Sequence, residues 1–204
     1  MPYLSIAVGE LQTNAYVFYH AASRGCLVID PGAEGEKIIA RIAGEKLLPR
    51  AVVLTHGHAD HVGAVSALIA RFQIPLWVHE ADADLMRGPV NREFAAMFGV
   101  GLPPAAGRLL ADGESLAVDD LALRVIHSPV HTPGSILLHG DGLLFTGDTL
   151  FKDDVGRTDL PGGDEAELRR SLAKIKLLPP LTVILPGHGP SSVLEQELRS
   201  NPYL

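Results

Sequence analysis

The amino-acid sequence predicts a four-layer α/β sandwich, two sheets packed face to face with helices outside. Three observations predict it. Each half of the chain runs strands first and a helix later. The strand-like runs are short, apolar and rich in β-branched residues, with Gly, Pro and Asp turns between them. No low-complexity segment or linker divides the 204 residues, so a single domain over 1–204 is expected.

In the first half, residues 3–8, 15–19 and 25–30 read as strands, the last ending in the turn Asp30-Pro31-Gly32. Residues 35–45 form a helix carrying Ile38, Ile39 and Ile42. The valine-rich run 51–54 is a buried strand. Residues 62–72 are apolar at helical spacing, with Val62, Val65, Leu68, Ile69 and Phe72 on one side. A short strand over 76–79 and a helical stretch over 80–99, broken at Gly88-Pro89, precede a proline-containing loop over 101–107. The second half opens with two hairpins. Strands 114–118 and 121–127 flank Asp119-Asp120, and strands 135–139 and 143–146 flank Gly140-Asp141-Gly142. Residues 164–178 form a helix capped by Asp164 and ended by Pro179-Pro180. A strand over 182–185 and a helix over 191–200 complete the chain.

Composition narrows the function. Hydrophobic residues make up 47% and charged residues 20%, a globular balance. The formal charge of −7 disfavours a nucleic-acid backbone as partner. No run approaches membrane-span length and no signal-peptide pattern stands at the start, so a cytoplasmic protein without membrane partners is expected. The single cysteine, Cys26, sits inside a strand-like run and reads as a buried apolar residue.

The chemistry concentrates in Thr55-His56-Gly57-His58-Ala59-Asp60-His61, a turn between strand and helix. In an extended segment residues two apart point the same way, so His56, His58 and Asp60 can face one point. His61, in the first helical turn, faces a neighbouring one. Imidazole and carboxylate suit zinc, iron or manganese. For any one of these residues a plain polar loop is the alternative, with Asp60 as N-cap. Three later strands each end in a Gly- or Pro-bounded turn bearing His131, Asp148 or His188. Five histidines and two aspartates at strand ends fit two metals. We assign His56, His58 and His131 to one and Asp60, His61 and His188 to the other. Asp148 bridges them, because a carboxylate offers two oxygens. His127 is near these residues in sequence and a candidate for the surrounding hydrogen-bond shell.

These residues in this order resemble the metallo-β-lactamase superfamily: the H-x-H-x-D-H loop at 56–61, then His131, Asp148 and His188. The resemblance implies the αββα metallo-β-lactamase fold and a metal-dependent hydrolase. Asp148 stands where β-lactamases of the family commonly carry cysteine, which counts against that activity. Val130 stands where the family usually has glycine, and an ordinary backbone conformation is expected there. Thr146-Gly147-Asp148-Thr149-Leu150-Phe151 with Gly156-Arg157-Thr158-Asp159 is similar to glyoxalase II and to persulfide dioxygenases. The ending Ser200-Asn201-Pro202-Tyr203-Leu204 resembles the short bacterial glyoxalase II-like hydrolases.

The leading expectation is therefore hydrolysis of a small-molecule thioester such as S-lactoylglutathione. A hydroxide bridging two divalent metals attacks the acyl carbon, with zinc first and iron or manganese as alternatives. Asp60 or Asp148 orients that nucleophile. Lys152 and Arg157 are placed to bind a substrate carboxylate, and for Arg157 an ion pair with Asp159 or Asp154 competes. The alternative is a mononuclear iron persulfide dioxygenase built on His56, His131 and Asp148 by resemblance. Phosphodiester or RNA hydrolysis is a third class, disfavoured by the acidic balance.

Overall fold

The computed structural model describes residues 1–160 and 162–204. Its first sheet holds β1 (Tyr3–Val8), β2 (Thr13–Tyr19), β3 (Gly25–Ile29), β4 (Leu48–Val53), β5 (Leu76–His79) and β6 (Arg108–Leu110), in that order. The β1–β2 and β2–β3 pairings are antiparallel, and β3 to β6 run parallel. Parallel neighbours need crossovers, and helices α1 (Gly35–Gly44), α2 (Ala59–Val62), α3 (Val65–Phe72) and α4 (Pro89–Phe98) occupy them. The second sheet comprises β7 (Ser115–Val118), β8 (Leu121–His127), β9 (Ile136–Gly140), β10 (Leu143–Gly147), β13 (Val183–Pro186) and β14 (Ser192–Val193). Its strand order is β14-β13-β10-β9-β8-β7. The strands β11 (Leu150–Phe151) and β12 (Asp154–Val155) form a separate small hairpin, and α5 (Glu165–Ile175) and α6 (Leu194–Ser200) follow.

Strand alternation produces the four layers. In β3, Cys26 and Val28 face a cluster with Ile38, Ile42, Val65 and Leu68 of the outer helices. Leu27 and Ile29 face the opposite way, into the interface with Leu123, Val125, Leu138 and Phe145 of the second sheet. The far face of that sheet packs Leu137, Leu144 and Ile184 against Leu168, Leu172 and Ile175 of α5. Both faces of β3 are thus covered, which is why it reads as an unbroken apolar run. Asp164 caps α5, accepting from the Ala166 and Glu167 N–H groups at 2.7 and 3.0 Å.

Some expectations need correction. The helix expected over 62–72 is two, α2 and α3. The Ala64 N–H leaves the helical ladder to donate to Pro31 O at 2.9 Å, and the close approach of Gly32 O and Val100 leaves no room for a Cβ at Gly63. The short pairs β6, β11 and β12 escape a sequence reading because two or three residues carry no periodicity. Val130 is absent from the residues with positive φ and is fully buried in the second-sheet core, so its side chain is unstrained. Among the described residues no helix is long and apolar enough to cross a membrane.

Strand direction gathers the site. In the first sheet β3 and β4 are parallel, so Asp30 and the 55–61 loop emerge at one end. In the second, β10 and β13 are parallel, and β8 shares their direction through two antiparallel steps across β9. His131, Asp148 and His188 therefore leave one end of that sheet. The two ends are joined there. Asn14 Nδ2 donates to Pro186 O at 3.0 Å and to Gly189 O at 2.8 Å, and the Tyr16 hydroxyl donates to Pro186 O at 2.7 Å.

Candidate metal centre

All seven residues expected as ligands converge. The nitrogens of His56, His58 and His131 lie within 4.8 Å of one another, as do donor atoms of Asp60, His61 and His188. Asp148 sits between the two triads. Its Oδ2 is 3.7 Å from His131 Nε2 and 3.6 Å from His188 Nε2, and its Oδ1 is 3.5 Å from His61 Nε2. Asp60, in the first turn of α2, is not the N-cap; its Oδ2 is 3.2 Å from His188 Nε2.

The outer nitrogen of four histidines is committed elsewhere. His61 Nδ1–H donates to Asp30 Oδ2 at 3.1 Å, His131 Nδ1–H to Arg157 O at 2.9 Å, and His188 Nδ1–H to Leu11 O at 3.0 Å. His56 Nδ1 is 3.2 Å from Thr55 Oγ1, whose own proton goes to Asp30 Oδ2 at 2.6 Å. Each acceptor fixes the proton on Nδ1 and turns the Nε2 lone pair inward. His58 presents Nδ1 instead, 2.9 Å from His131 Nε2. The Nε2 atoms of His61 and His188 face each other at 3.3 Å, two lone pairs that repel unless a cation lies between or beside them.

Two further observations fit a cation. His56 Nε2 and Asp148 Oδ1 are buried and have no hydrogen-bond partner among the described residues. At Gly187 a Cβ would fall against Asp148 Oδ1 and 2.7 Å from His61 Cε1, so glycine keeps the space between these donors open. The electrostatics divide the centre. Burial, then the neighbouring imidazoles, drive His56 well below the usual histidine range, and burial and His131 bring His58 down to about 3. Burial opposes charge on His61 too, but Asp60, Asp148 and Asp30 outweigh it and lift it to about 10. His188 is raised in the same way by Asp60 and Asp148 against its burial. Burial works to raise Asp60, and His61 and His188 outweigh it and hold it below the usual carboxylate range. One half offers neutral nitrogens and the other a carboxylate-rich field, which favours a divalent cation as it favours a proton.

Two functional positions escaped the sequence reading. Asp30, seen only as a turn residue, accepts from Thr55 N at 2.7 Å as well as from His61 and Thr55 Oγ1. Its φ of 48° is one that aspartate tolerates better than most residues, and this is its sequence signal. Asp82 is fully buried and accepts from Gly57 N, Thr132 Oγ1 and Gly134 N, each at 2.7 Å. It joins the His56–His58 loop to the His131 turn, and Asn91 Nδ2 holds the following peptide by donating to Gly57 O. Burial pushes the Asp82 carboxyl up against these three donors.

Other expectations fare differently. His127 makes no hydrogen bond to a candidate ligand among the described contacts: its ring stacks on His79 with centroids 4.1 Å apart, and its Nε2 is 2.9 Å from Pro133 O. Lys152 lies exposed in the β11–β12 turn and is not among the residues lining the cleft over the cluster. Arg157 lines that cleft, and it also makes the expected pair with Asp159, Nε to Oδ1 at 2.7 Å and Nη2 to Oδ2 at 2.9 Å. The cleft has a volume of about 590 Å³; Leu11, Val90, Phe94 and Leu160 supply apolar walls above His58, His131, Asp148 and His188.

Comparison with known proteins shows the family and the fold. The model of the metallo-β-lactamase superfamily matches residues 8–188. "Hydroxyacylglutathione hydrolase GloC" of Haemophilus influenzae is 39% identical over 98% of this chain and 96% of its own length. The crystal structure of "BLEG-1 B3 metallo-beta-lactamase" superposes with a TM-score of 0.93 at 36% identity, covering 100% of this chain and 99% of that one. "TTHA1623 in a di-iron-bound form" superposes with a TM-score of 0.88 at 38% identity, covering 98% and 100%. Family match, near-complete coverage and shared architecture agree, and this chain belongs to the metallo-β-lactamase superfamily.

Proposed function

We propose that this protein is a binuclear metal-dependent thioesterase of the glyoxalase II type, acting on S-2-hydroxyacylglutathione. One observation carries the reading: two donor triads with the Asp148 carboxylate between them, at the foot of a cleft with apolar walls and Arg157 at its edge. The name of the Haemophilus influenzae relative supports the substrate class. In this reading His56, His58 and His131 would hold one divalent ion and Asp60, His61 and His188 the other, with Asp148 placed to serve both. Bound there, such ions would supply hydroxide near neutral pH and a Lewis acid for the thioester carbonyl.

The chain's own groups do the rest. Asp30 and the carbonyls of Leu11 and Arg157 fix the imidazoles, Asp60 and Asp148 orient the nucleophile, and the Arg157 guanidinium binds an anionic tail on the thiol. Overall the water oxygen bonds to the acyl carbon, the C–S bond breaks, and acid and thiol leave. A thiolate is a good leaving group, so no strong general acid is required. Zinc is the expected metal, and the di-iron relative makes iron the first alternative.

The test is hydrolysis of S-lactoylglutathione by protein of measured metal content. Turnover near 10⁴ M⁻¹s⁻¹ or above with two metals per chain supports the reading. Arg157→Ala then raises KM and leaves metal content intact. Absence of turnover with both metals bound sinks this substrate. Oxygen uptake with glutathione persulfide by a one-iron form would establish the dioxygenase alternative instead, and a second complete triad counts against it. A cephalosporin belongs in the same panel, because a structure at 36% identity is named a β-lactamase, which weakens the inference drawn from Asp148.

A further inference from the structure

The histidine–aspartate cluster opens in two directions. Over His131 lies the larger cleft, in which Arg157 is the one cationic side chain among the described lining residues. A second groove, about 240 Å³, leaves from the other side and shares Leu11, Asp60 and Phe94 with the first. Its further walls are Val8, Ala33, Phe98 and Val100, with Glu10 and Glu34 among its lining residues and neither lysine nor arginine among those described. Phe94 and Phe98, one helical turn apart on α4, set their rings 4.3 Å apart and make a continuous aromatic wall from the cluster into the groove. The larger cleft is lined from both triads, and the groove meets the cluster at Asp60. Arg157 O holds His131 at 2.9 Å, whereas the groove takes in Asp60 and Thr13, whose Oγ1 and Oδ2 atoms are 3.4 Å apart.

We propose that this groove is the acyl pocket: it receives the side chain of the acyl group and selects uncharged, apolar acyl groups over those ending in a carboxylate. The inference rests on the thioesterase reading. A thioester carbon centred on the cluster sends its acyl chain and its sulfur in diverging directions, and two openings meet there. Charge decides which is which. An anionic thiol tail is drawn to Arg157. The groove offers apolar and aromatic walls and acidic side chains. Glu34 keeps its charge, because the Gly9 N–H and Lys37 hold its carboxyl below the usual range, although Lys37 at 3.2 Å neutralises part of that charge. Glu10 has no such partner among the described contacts. A carboxylate at the end of the acyl chain would meet acidic side chains and no lysine or arginine among the described lining residues, the nearby Lys37 being engaged by Glu34 and Ala7 O.

The experiment uses metal-loaded protein and glutathione thioesters of acetate, butyrate, hexanoate and succinate. Calorimetry of acetate, hexanoate and succinate binding serves as a readout independent of turnover. Both kcat/KM and carboxylate affinity are expected to rise about fourfold per methylene until the groove is full, the burial worth of one CH₂. Succinyl is expected to fall about tenfold or more below butyryl. Ala33→Leu, which narrows the groove, should flatten the chain-length slope, and Phe98→Ala should move the longest favoured acyl group upward. Leu160→Ala alters only the larger cleft and should keep the slope. A slope lost in Leu160→Ala but kept in Ala33→Leu would put the acyl chain in the larger cleft and overturn the proposal. Cleavage of every thioester without a slope overturns it while the thioesterase reading stands. No cleavage with two metals bound removes both.

Discussion

One methyl group at Gly187 tests the whole construction of the centre. Gly187 is not among the glycines with positive φ, so alanine there carries no backbone strain. What it lacks is room. A Cβ lies inside the 3.0 Å floor of real Cβ contacts against Asp148 Oδ1, and 2.7 Å from His61 Cε1. The backbone cannot retreat easily, because Gly187 N–H donates to Gly147 O at 2.8 Å and Gly187 O accepts from Asn14 N at 2.7 Å. The carboxylate must therefore move, by about 1 Å, where metal–ligand distances tolerate about 0.2 Å. Misplacement on that scale costs about 10²-fold in rate. The overpacking itself costs about 1–3 kcal/mol, or about 2–4 °C in Tm for each kcal/mol in a chain of this size. Purified Gly187→Ala protein is assayed for metal by elemental mass spectrometry, for Tm, and for thioester hydrolysis. We expect fewer than two metals per chain and a loss of activity far beyond the loss of Tm. Two bound metals with undiminished activity would refute the claim that this space is the cradle between Asp148 and His61.

Asp82→Asn leaves the amide NH₂ facing a backbone N–H or the Thr132 hydroxyl, which costs about 1–3 kcal/mol in a thermal melt. It should also weaken metal binding about 10–100-fold in a competition titration; unchanged affinity would reduce Asp82 to a packing role. Chelation removes the partners of His56 Nε2 and Asp148 Oδ1, and at a metal concentration of about 100 Kd this means a loss of about 2.7 kcal/mol, or about 5–10 °C in Tm. Restoring zinc, iron and manganese separately identifies the metal, and a Tm indifferent to chelation would argue that none is held. Burial pushes the Cys26 thiol up to about 12, so at pH 8 only about one thiol in 10⁴ is ionised and alkylation waits for unfolding. The folded chain holds that proton more tightly than the unfolded one, so stability from this group falls as pH rises from about 9 to about 12. Rapid labelling of the native protein at pH 8 would contradict this.

The parts of the fold that were legible are those whose signal is local. The unbroken apolar run Cys26-Leu27-Val28-Ile29, the Asp164 cap and the turn at Asp119-Asp120 each act within a few residues of themselves. The convergence of the seven candidate ligands was legible because each lies in a segment that follows a strand end. Asp30 and Asp82 were not, because what they do depends on partners distant in sequence. Asp82 meets Gly57 across 25 residues and Gly134 across 52. The division of the 62–72 helix was hidden for the same reason, since Pro31 O draws away the Ala64 N–H. Arg157 shows the limit from the other side. Both its ion pair and its place at the cleft were readable, and a static arrangement holds both at once.

The strand-end arrangement also fixes when the centre can come into being. The 56–61 loop belongs to the first sheet and His131, Asp148 and His188 to the second, and Asn14 on β2 ties itself to Pro186 at a separation of 172 residues. Contacts of that span close late, after local pairing has formed. During synthesis the early loop can emerge with its histidines while its partners are still untranslated. Neither triad is whole at that stage, since the first waits for His131 and the second for His188. Filling of both triads would thus report that synthesis has passed His188 and that the two sheets have closed.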